Sequence, residues 1–313
     1  MKKTGLFLLL CLSLAAYGQD SDGPQGTVPN RVTFPVERVQ TPTYADLYCA
    51  GFITDKLVPT TDYVAGGLET PNTTKNVNGD LVYLTGGKYQ AGQEYTILRE
   101  LHDPNRYELF PGQHKLLRAS GQPYGEIGKV RVVDARNQMA VAQVEFSCDP
   151  VNPGDLAVPF VEKTPVSFHP PLRFDRFAPP NGKLSGRIVM AKDFDYELGT
   201  GAKVYMNVGS NQGVKIGDYF RAVRRYEADY TDPVDRLSFK AAIAEDTQSA
   251  PPSYDASFFT KTKGPNIHVA DFPRRALGEI VILSTTPTTS TGMIVFSLND
   301  IRAGDTVELD EQP

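Results

Sequence analysis

Residues 278–283 read GEIVIL, and residues 128–133, which lie 150 positions earlier, read GKVRVV. With the same offset, Phe146-Ser147 falls on Phe296-Ser297 and no gap is needed. An ordered series of matches at one offset indicates an internal duplication. The β-branched and other apolar residues in both stretches predict that they are strands.

Upstream of these stretches, the two halves match again with a shorter offset. Gly92–Tyr95 falls on Gly217–Phe220, and Arg99 falls on Arg224. The offset changes only where loops are expected, and the order of the matches is kept along the chain. We therefore interpret the chain as two copies of one β-unit.

Short strands separated by turns favour a small closed sheet, because closure leaves no exposed strand edge. We expect an all-β protein with a short helix in an insertion, built as two tandem small antiparallel barrel-like domains. The turn-rich stretch Gly209–Gly213 is expected to close a hairpin between Val204–Val208 and Tyr219–Val223. The short helix is expected at Asp235–Glu245, because its residues favour helices and its first aspartate can serve as the N-cap.

Changes in composition predict the domain boundaries. Residues 19–40 are polar and turn-rich, which is typical of a flexible leader. Residues 161–182 carry five prolines and are expected to form an extended linker. The first β domain is therefore expected at 41–160 and the second at 183–313.

Each half carries an insertion at the same place, at 101–124 in the first and at 225–273 in the second. Matching insertions would project from the same side of each barrel, and such loops often form binding surfaces. Aromatic residues are frequent in the second insertion, where they either contact a partner or fold back and cap the barrel. The candidate partner contacts are Tyr226, Tyr230, Tyr254, Phe258 and Phe259.

Glycines and Gly-Asp pairs recur at matching positions of the two halves. Glycine allows a positive φ at a turn, and aspartate can accept hydrogen bonds from nearby backbone amides. A structural role in turns is therefore preferred to a repeated acidic site. The residues assigned to these turns are Gly128, Gly154, Asp155, Gly278, Gly304 and Asp305.

The N-terminus has the pattern of a secretory signal peptide. Lys2 and Lys3 precede the apolar run Leu6–Ala16, and small residues precede a cleavage site before Gln19. The run is too short to span a bilayer as a stable anchor. We expect residues 1–18 to be removed, and the mature chain, without a transmembrane segment, to be periplasmic or secreted by a bacterium.

Removal of Cys11 with the signal peptide leaves Cys49 and Cys148 in the mature chain. An even pair in an oxidising compartment predicts a disulfide, with two buried thiols as the alternative. Both cysteines are expected in strands, one within Asp46–Phe52 and the other at the end of Val144–Cys148. The bond would tie the first of these segments to the end strand of the first barrel.

The composition offers little for catalysis or nucleic-acid binding. A formal net charge of −5 argues against a binder of phosphate backbones. No His or Cys lies at metal-ligand spacing, and neither a P-loop nor a nucleophile elbow occurs. We expect no enzymatic activity, no metal and no cofactor. The histidines are His102, His114, His169 and His268.

Acidic residues alternate with aromatic ones at Asp193, Asp195 and Glu197. On a strand, these three carboxylates would share one face because side chains alternate with period two. Such a face could bind Ca²⁺, which prefers oxygen ligands. The preferred interpretation is a solvated strand face, with Phe194 and Tyr196 turned inward.

The run Val204–Asp218, followed by Leu277–Leu283 and Ile301–Asp305, resembles a recurring β-module of the bacterial cell envelope. It is similar to the C-terminal domain of flagellar assembly protein T and to repeats found beside peptidoglycan-binding LysM modules. The resemblance covers the second half and, more faintly, the first. It implies a β-rich fold and a role in envelope assembly or scaffolding, and it supplies no catalytic residues.

Duplication, export and the scarcity of catalytic motifs favour a non-enzymatic scaffold or adaptor of the cell envelope. Such a protein would bind other envelope proteins through the loops of its tandem β domains. The alternative is a module that binds cell-wall glycan, peptidoglycan, through the Tyr and Phe residues of the second insertion.

Overall fold

The computed structural model describes residues 39–68, 75–136, 138–166, 174–225 and 273–310. These residues belong to one compact unit. No helix among them is long and apolar enough to cross a membrane. The expected signal peptide and the helix expected at Asp235–Glu245 lie outside the described residues.

The first half forms a closed antiparallel barrel. Its strands are β1 (Phe52–Thr54), β2 (Tyr63–Gly67), β3 (Leu81–Thr85), β4 (Glu94–Glu100), β5 (Gln122–Arg136), β6 (Met139–Ser147) and β7 (Leu156–Pro159). Around the barrel the order is β5-β4-β7-β2-β3-β6, and β6 pairs again with β5. Strand β1 lies outside this ring and pairs with the start of β5.

The second half forms another closed antiparallel barrel. Its strands are β8 (Ser185–Ala191), β9 (Glu197–Leu198), β10 (Lys203–Met206), β11 (Tyr219–Arg224), β12 (Arg275–Thr285), β13 (Ser290–Ser297), β14 (Ile301–Arg302) and β15 (Thr306–Leu309). The order around the ring is β12-β11-β15-β8-β10-β13, and β9 and β14 form a separate short pair.

The two barrels share their strand order and their register. Gly128 faces Ser147 in the first barrel, and Gly278 faces Ser297 in the second. In each barrel the register shifts one residue later, so a β-bulge occurs at the same place. The predicted all-β class with two barrel domains is confirmed, with the pairing that the 150-residue offset predicts.

Glycine is required beside these bulges because two backbones approach closely. A Cβ atom on Gly278 would lie 2.2 Å from the carbonyl oxygen of Phe296. A Cβ atom on Gly128 would lie 2.4 Å from the carbonyl oxygen of Phe146. Neither glycine has a positive φ, so the requirement comes from the contact and not from the local backbone conformation.

The expected hairpin around Gly209–Gly213 is wrong. Strand β10 pairs with β8 and β13, whereas β11 pairs with β12 and β15. Between β10 and β11 a short 3-10 helix, Ser210–Gln212, packs on the β12–β13 turn, where Ser210 N donates to the carbonyl oxygen of Thr286 at 2.9 Å. Barrel closure separates these strands, and a local pattern cannot reveal which strands become neighbours.

Helix α1 (Tyr44–Tyr48) stands where the sequence suggested a strand. Thr43 N donates to Asp46 Oδ2 at 2.8 Å, and Asp46 N donates to Thr43 Oγ1 at 3.3 Å. This capping box satisfies backbone amides at the start of a helix. The strand predicted over Asp46–Phe52 is therefore wrong up to Cys49, which ends the helix.

The predicted disulfide joins Cys49 to Cys148, with Cα atoms 5.8 Å apart. Cys148 directly follows β6, so the bond ties the segment that contains α1 and β1 to the first barrel. The 99-residue separation constrains the unfolded chain strongly, by up to about 4.7 kcal/mol in the chain-entropy model.

The first insertion, between β4 and β5, contains helix α2 (Gln113–Ser120), whereas the sequence analysis placed its only helix in the second insertion. The last turn of α2 is held by Ser120 Oγ, which donates to the carbonyl oxygen of Leu116 at 2.9 Å. At its other end, the buried Gln113 side chain donates to the carbonyl oxygen of Val189 in β8 at 3.1 Å. The insertion of the first barrel therefore reaches the second barrel.

The described parts of the proline-rich segment lie against the barrels. Lys163 Nζ is 2.6 Å from Glu126 Oε1 of β5. Ala276 N of β12 donates to the carbonyl oxygen of Arg176 at 2.8 Å. The two barrels are joined through the α1–β1 segment and the first insertion and are not held apart by the length of the proline-rich segment.

We predict that Gly278→Ala lowers the free energy of unfolding by at least about 1–3 kcal/mol, because the new Cβ must displace a strand backbone. Gly199→Ala is the matched control, since no described atom lies within 4 Å of its Cβ position and its φ is not positive. Denaturant titration of both variants measures the difference. Equal stability of the two variants would contradict the close approach.

Candidate interaction surface

The Gly-Asp turn of the first barrel is clamped by an arginine. Asp155, which precedes β7, accepts two hydrogen bonds from Arg99 of β4, each 2.8 Å long. Arg99 also donates to the carbonyl oxygen of Pro150 at 2.7 Å, and Asn152 N donates to Asp155 Oδ2 at 2.7 Å. A bidentate ion pair of this kind fixes both partners in orientation.

The second barrel repeats this clamp at the equivalent residues. Arg224 donates to both carboxylate oxygens of Asp305 at 2.8 Å and to the carbonyl oxygen of Asp300 at 3.0 Å. Arg302 N donates to Asp305 Oδ2 at 2.7 Å. Burial alone would lower the pKa of Arg224, but its hydrogen bonds to Asp305 hold this pKa above the ordinary value.

The structure thus places Asp155 and Asp305 against arginines that sequence analysis had aligned with each other but had not paired with the aspartates. Gly154 and Gly304 precede them with φ of 93° and 99°, which favours glycine. Both carboxylates hold their turns in place, with partners on the strand and on the backbone.

A concavity next to the clamp is open in the first barrel. It has a volume of about 540 Å³ and is lined in part by Tyr63, Arg99 and Gly154. Among the described residues, no atom lies within 4 Å of the position that a Cβ of Gly154 would take.

Phe110 of the first insertion occupies the equivalent place on the second barrel. A Cβ on Gly304 would lie 2.7 Å from the Phe110 ring. The ring centroid also lies 5.4 Å from the guanidinium carbon of Arg187, the residue equivalent to Tyr63. Phe110 itself is only 2% exposed, so it is a buried anchor between the barrels.

Beyond the clamp, the outer surface of the second barrel is apolar and buried. We call this surface the covered face; it comprises Val189, Met190, Tyr205, Tyr219, Val281, Leu283, Thr289, Thr291, Met293 and Val295. Around α1, Leu47, Tyr48 and Ala50 pack on one half of it. Ile53 of β1 packs on the other half together with the two leucines of α2.

Hydrogen bonds fix the segment Ala50–Ile53 on the covered face. Thr291 Oγ1 donates to the carbonyl oxygen of Gly51 at 2.9 Å, and Thr289 Oγ1 donates to that of Ile53 at 2.6 Å. The Tyr205 hydroxyl donates to the carbonyl oxygen of Ala50 at 3.1 Å. Burial raises the pKa of Tyr205, so this hydroxyl keeps its proton and remains a donor.

The equivalent surface of the first barrel is not buried. We call it the open face; it comprises Tyr63, Ala65, Tyr83, Glu94, Lys129, Arg131, Val133, Met139, Val141, Gln143 and Glu145. Val133 and Met139 are each 47% exposed. A concavity of about 680 Å³ is lined by Tyr83, Met139 and Val141, among others, at the position equivalent to the one where Gly51 and Ile53 lie on the second barrel.

One half of the open face is charged where the covered face is apolar. Lys129 Nζ lies 3.0 Å from Glu94 and 3.1 Å from Glu145, and Arg131 pairs with the same two glutamates. On the covered face, Tyr219, Val281 and Val295 stand at the positions of Glu94, Arg131 and Glu145, respectively.

Glu279 occupies the position equivalent to Lys129 and is only 6% exposed. Its Oε2 atom has no hydrogen-bond partner among the described residues. Burial, together with the nearby charge of Asp310, raises the pKa of Glu279 to about 7, although Arg221 opposes this rise. The side chain therefore gains a charge near neutral pH at the edge of the covered face.

The acidic triplet does not form a strand face. The chain turns at residues 192–196, and Phe194 has a positive φ of 62°. Glu197 pairs with Arg302 at 3.2 Å. The expected strand alternation is therefore wrong for Asp193 and Asp195, and no cluster of three or more metal-ligating side chains occurs among the described residues.

The other candidate residues are scattered or lie outside the described part of the chain. His114 Nδ1 is 3.7 Å from Glu108, and His102 lies in a loop. His169 and His268 fall outside the described residues, as do the aromatic residues proposed as partner contacts: Tyr226, Tyr230, Tyr254, Phe258 and Phe259.

No protein-family model matches this chain, and no curated protein matches it.

We predict that Phe110→Ala lowers the free energy of unfolding by about 3–5 kcal/mol, because it removes a buried ring between the barrels. It should also speed amide hydrogen exchange in α2. Tyr107→Ala is the control, since Tyr107 lies in the same insertion and is 84% exposed. Unchanged exchange in the Phe110 variant would show that Phe110 does not anchor the insertion.

We predict that Glu279→Gln removes a pH-dependent loss of stability. The unfolded carboxyl ionises near pH 4.5 and the folded one near pH 7, so the wild-type free energy of unfolding falls, relative to the variant, as pH rises through this window. The difference reaches about 3 kcal/mol above pH 7. Denaturant titrations across the window measure it, with Glu162→Gln at an exposed position as control.

Proposed function

We propose that this protein is a non-enzymatic, extracytoplasmic scaffold or adaptor of the bacterial cell envelope. It binds partner proteins through the outer faces and insertions of its barrels. One observation carries this proposal: the covered face already binds a protein surface, namely α1, β1 and the first insertion, through a buried aromatic anchor and backbone hydrogen bonds. Tight packing around buried aromatic anchors is typical of protein interfaces.

The extracytoplasmic location is supported by two independent features. The N-terminal sequence has the charge and apolar pattern of a signal peptide. The Cys49–Cys148 disulfide is of a kind that persists mainly in oxidising compartments. The resemblance of the second half to envelope β-modules points to the same place.

The scaffold role is supported by the way the barrels are joined. The disulfide ties the α1 segment to the first barrel, and the Asp46–Lys203 ion pair at 2.5 Å ties the same segment to the second barrel. Phe110 of the first insertion also packs against Gly304 of the second barrel. A rigid body of this kind holds loops at fixed positions, which lowers the ordering cost when a partner binds.

The proposal is tested by photo-crosslinking in cells of the native bacterium, with a crosslinking amino acid at Tyr107 or within 225–273. We expect export, cleavage before Gln19 and capture of defined envelope proteins, followed by direct binding of the purified partners. Deletion of residues 225–273 should abolish that capture. A chain that stays in the cytoplasm, or that captures the same partners without this insertion, would contradict the proposal.

Sedimentation with purified peptidoglycan sacculi separates the scaffold from the glycan-binding alternative. The scaffold should remain in the supernatant unless its protein partner is present. Direct sedimentation that is lost on deletion of 225–273 would instead establish the second insertion as the glycan-binding element. The same deletion thus gives opposite readouts for the two functions.

A further inference from the structure

Residues 174–178, which we call the latch segment, lie on the second barrel beside the start of β12. Ala276 N donates to the carbonyl oxygen of Arg176 at 2.8 Å, and Arg274 Nε donates to the carbonyl oxygen of Ala178 at 2.8 Å. The segment contributes no strand to the barrel, whose ring is closed by other parts of the chain. It can therefore detach while the barrel stays closed.

The Phe174 ring of the latch segment packs on the residues on either side of Glu279. In the sheet, Glu279 of β12 is paired with Arg221 of β11 and with Phe296 of β13. The Phe174 ring centroid is 5.3 Å from that of Phe296 and 5.6 Å from the guanidinium carbon of Arg221. A ring that contacts both lateral neighbours of a side chain also shields that side chain from water, which agrees with the burial of Glu279.

Glu279 and Arg221 carry an acceptor and a donor that do not meet. Glu279 Oε2 and Arg221 Nε are both buried, and neither atom has a hydrogen-bond partner among the described residues. Arg221 instead uses Nη2 to bind both carboxylate oxygens of Asp310, at 2.8 and 3.0 Å. Hydrogen bonds between a guanidinium and a carboxylate are strong because both groups are charged, and a protonated carboxyl forms weaker ones. This geometry fits a neutral Glu279 beside an arginine that is engaged elsewhere.

Charged groups surround Glu279 from β11, from the start of β12, from β15 and the residue after it, and from the latch segment, whereas its partner on β13 is uncharged. These groups are Arg221, Arg274, Arg275, Glu308, Asp310, Asp175 and Arg176. Arg274 pairs with Glu308 at 2.5 Å, so its charge is already matched. Burial and the charge of Asp310 raise the pKa of Glu279 to about 7, although Arg221 opposes this rise. With the latch segment in place, the carboxyl is therefore protonated in mildly acidic solution.

We propose that Glu279 releases the latch segment when its carboxyl loses its proton to the solvent. The new charge attracts the Arg221 guanidinium away from Phe174, and a buried carboxylate is costly until the ring that shields it moves away. Phe174 then leaves Phe296, and the apolar surface beneath it becomes accessible to a partner. The proposal goes beyond the envelope role and rests on the packing of this segment alone, so it holds whether or not that role is correct.

The direction of the pH response follows from the two positions of the latch segment. Release exposes Glu279 to water, where its carboxyl ionises near pH 4.5, whereas the closed segment keeps the proton on the carboxyl up to about pH 7. The ratio of released to closed segment therefore rises with pH between these two values, by up to about tenfold per pH unit, and levels off at higher pH. The segment is held most tightly in acidic solution.

Limited trypsin digestion of the full chain measures the release, because Arg176 lies within the latch segment. The rate of cleavage after Arg176 in the wild type is divided by the rate in Glu279→Gln at each pH, so that the pH dependence of the protease cancels. When the segment recloses faster than it is cut, the cleavage rate follows the released fraction. Cleavage after Arg187 of β8 or Lys203 of β10 reports opening of the barrel itself. Glu162→Gln, at an exposed position, is the control.

We expect the cleavage ratio at Arg176 to rise by up to about tenfold from about pH 5.5 to about pH 6.5 and to level off above about pH 7. Glu162→Gln should behave like the wild type, and the sites at Arg187 and Lys203 should stay protected. A ratio that does not change with pH, or cleavage at Arg187 that rises in parallel, would overturn the proposal.

A second readout follows the ring itself. The chain has no Trp, so Phe174→Trp places a single indole at the latch. Its fluorescence emission should shift to longer wavelength over the same pH window, because the indole enters water on release. Adding Glu279→Gln to this variant should abolish the shift. An emission that is unchanged by pH, or a shift that persists without the carboxyl, would show that Glu279 does not control the segment.

Discussion

The arrangement of the two barrels depends on the burial of one short segment, Tyr44–Thr54, between them. The helix in this segment begins at a capping box and ends at a disulfide, and its apolar side chains cover the second barrel. Burial alone would raise the pKa of Asp46, but hydrogen bonds from Lys203 and Thr43 hold it below its usual value. The carboxylate thus stays charged and binds the helix to Lys203 of the second barrel.

The two barrels share the residues that their backbone geometry requires, namely the glycine beside each bulge and the arginine clamp. Replacing the glycine beside each bulge forces a shift of the backbone, because a carbonyl oxygen fills the space of a side chain. The arginine clamp recurs with the same bidentate geometry, although Arg99 and Asp155 are 56 residues apart. The outer faces differ, with Arg131 and Glu145 of the open face at the positions that Val281 and Val295 occupy on the covered face. The outer face that the α1–β1 segment covers is apolar, and the outer face that it leaves open carries the charged residues.

The sequence predicted the structure correctly where its two halves could be compared. It failed where a contact occurs in only one half. The 150-residue offset predicted that Gly128 and Gly278 are equivalent. The shorter offset aligned Arg99 with Arg224, and this match was the sequence signal for the arginine clamp on the Gly-Asp turns. The composition of Tyr44–Tyr48 did not predict a helix because Tyr and Leu also suit strands, although Thr43 and Asp46 have the spacing of a capping box. The Gly209–Gly213 hairpin failed because strand neighbours are decided by barrel closure, a long-range property.

The two barrels have different outer faces, and this difference explains why they form an asymmetric pair within one chain. If both barrels had a fully apolar outer face, the first barrel would expose a large hydrophobic surface, and such a surface favours aggregation. Placing Lys129, Arg131, Glu94 and Glu145 on the open face limits that surface to the part around Tyr83 and Met139. In the second barrel, the buried Glu279 takes the place of Lys129 and loses solvation, and its Oε2 atom has no hydrogen-bond partner among the described residues. The cost of that burial is tolerated because the surrounding apolar contacts of the covered face outweigh it.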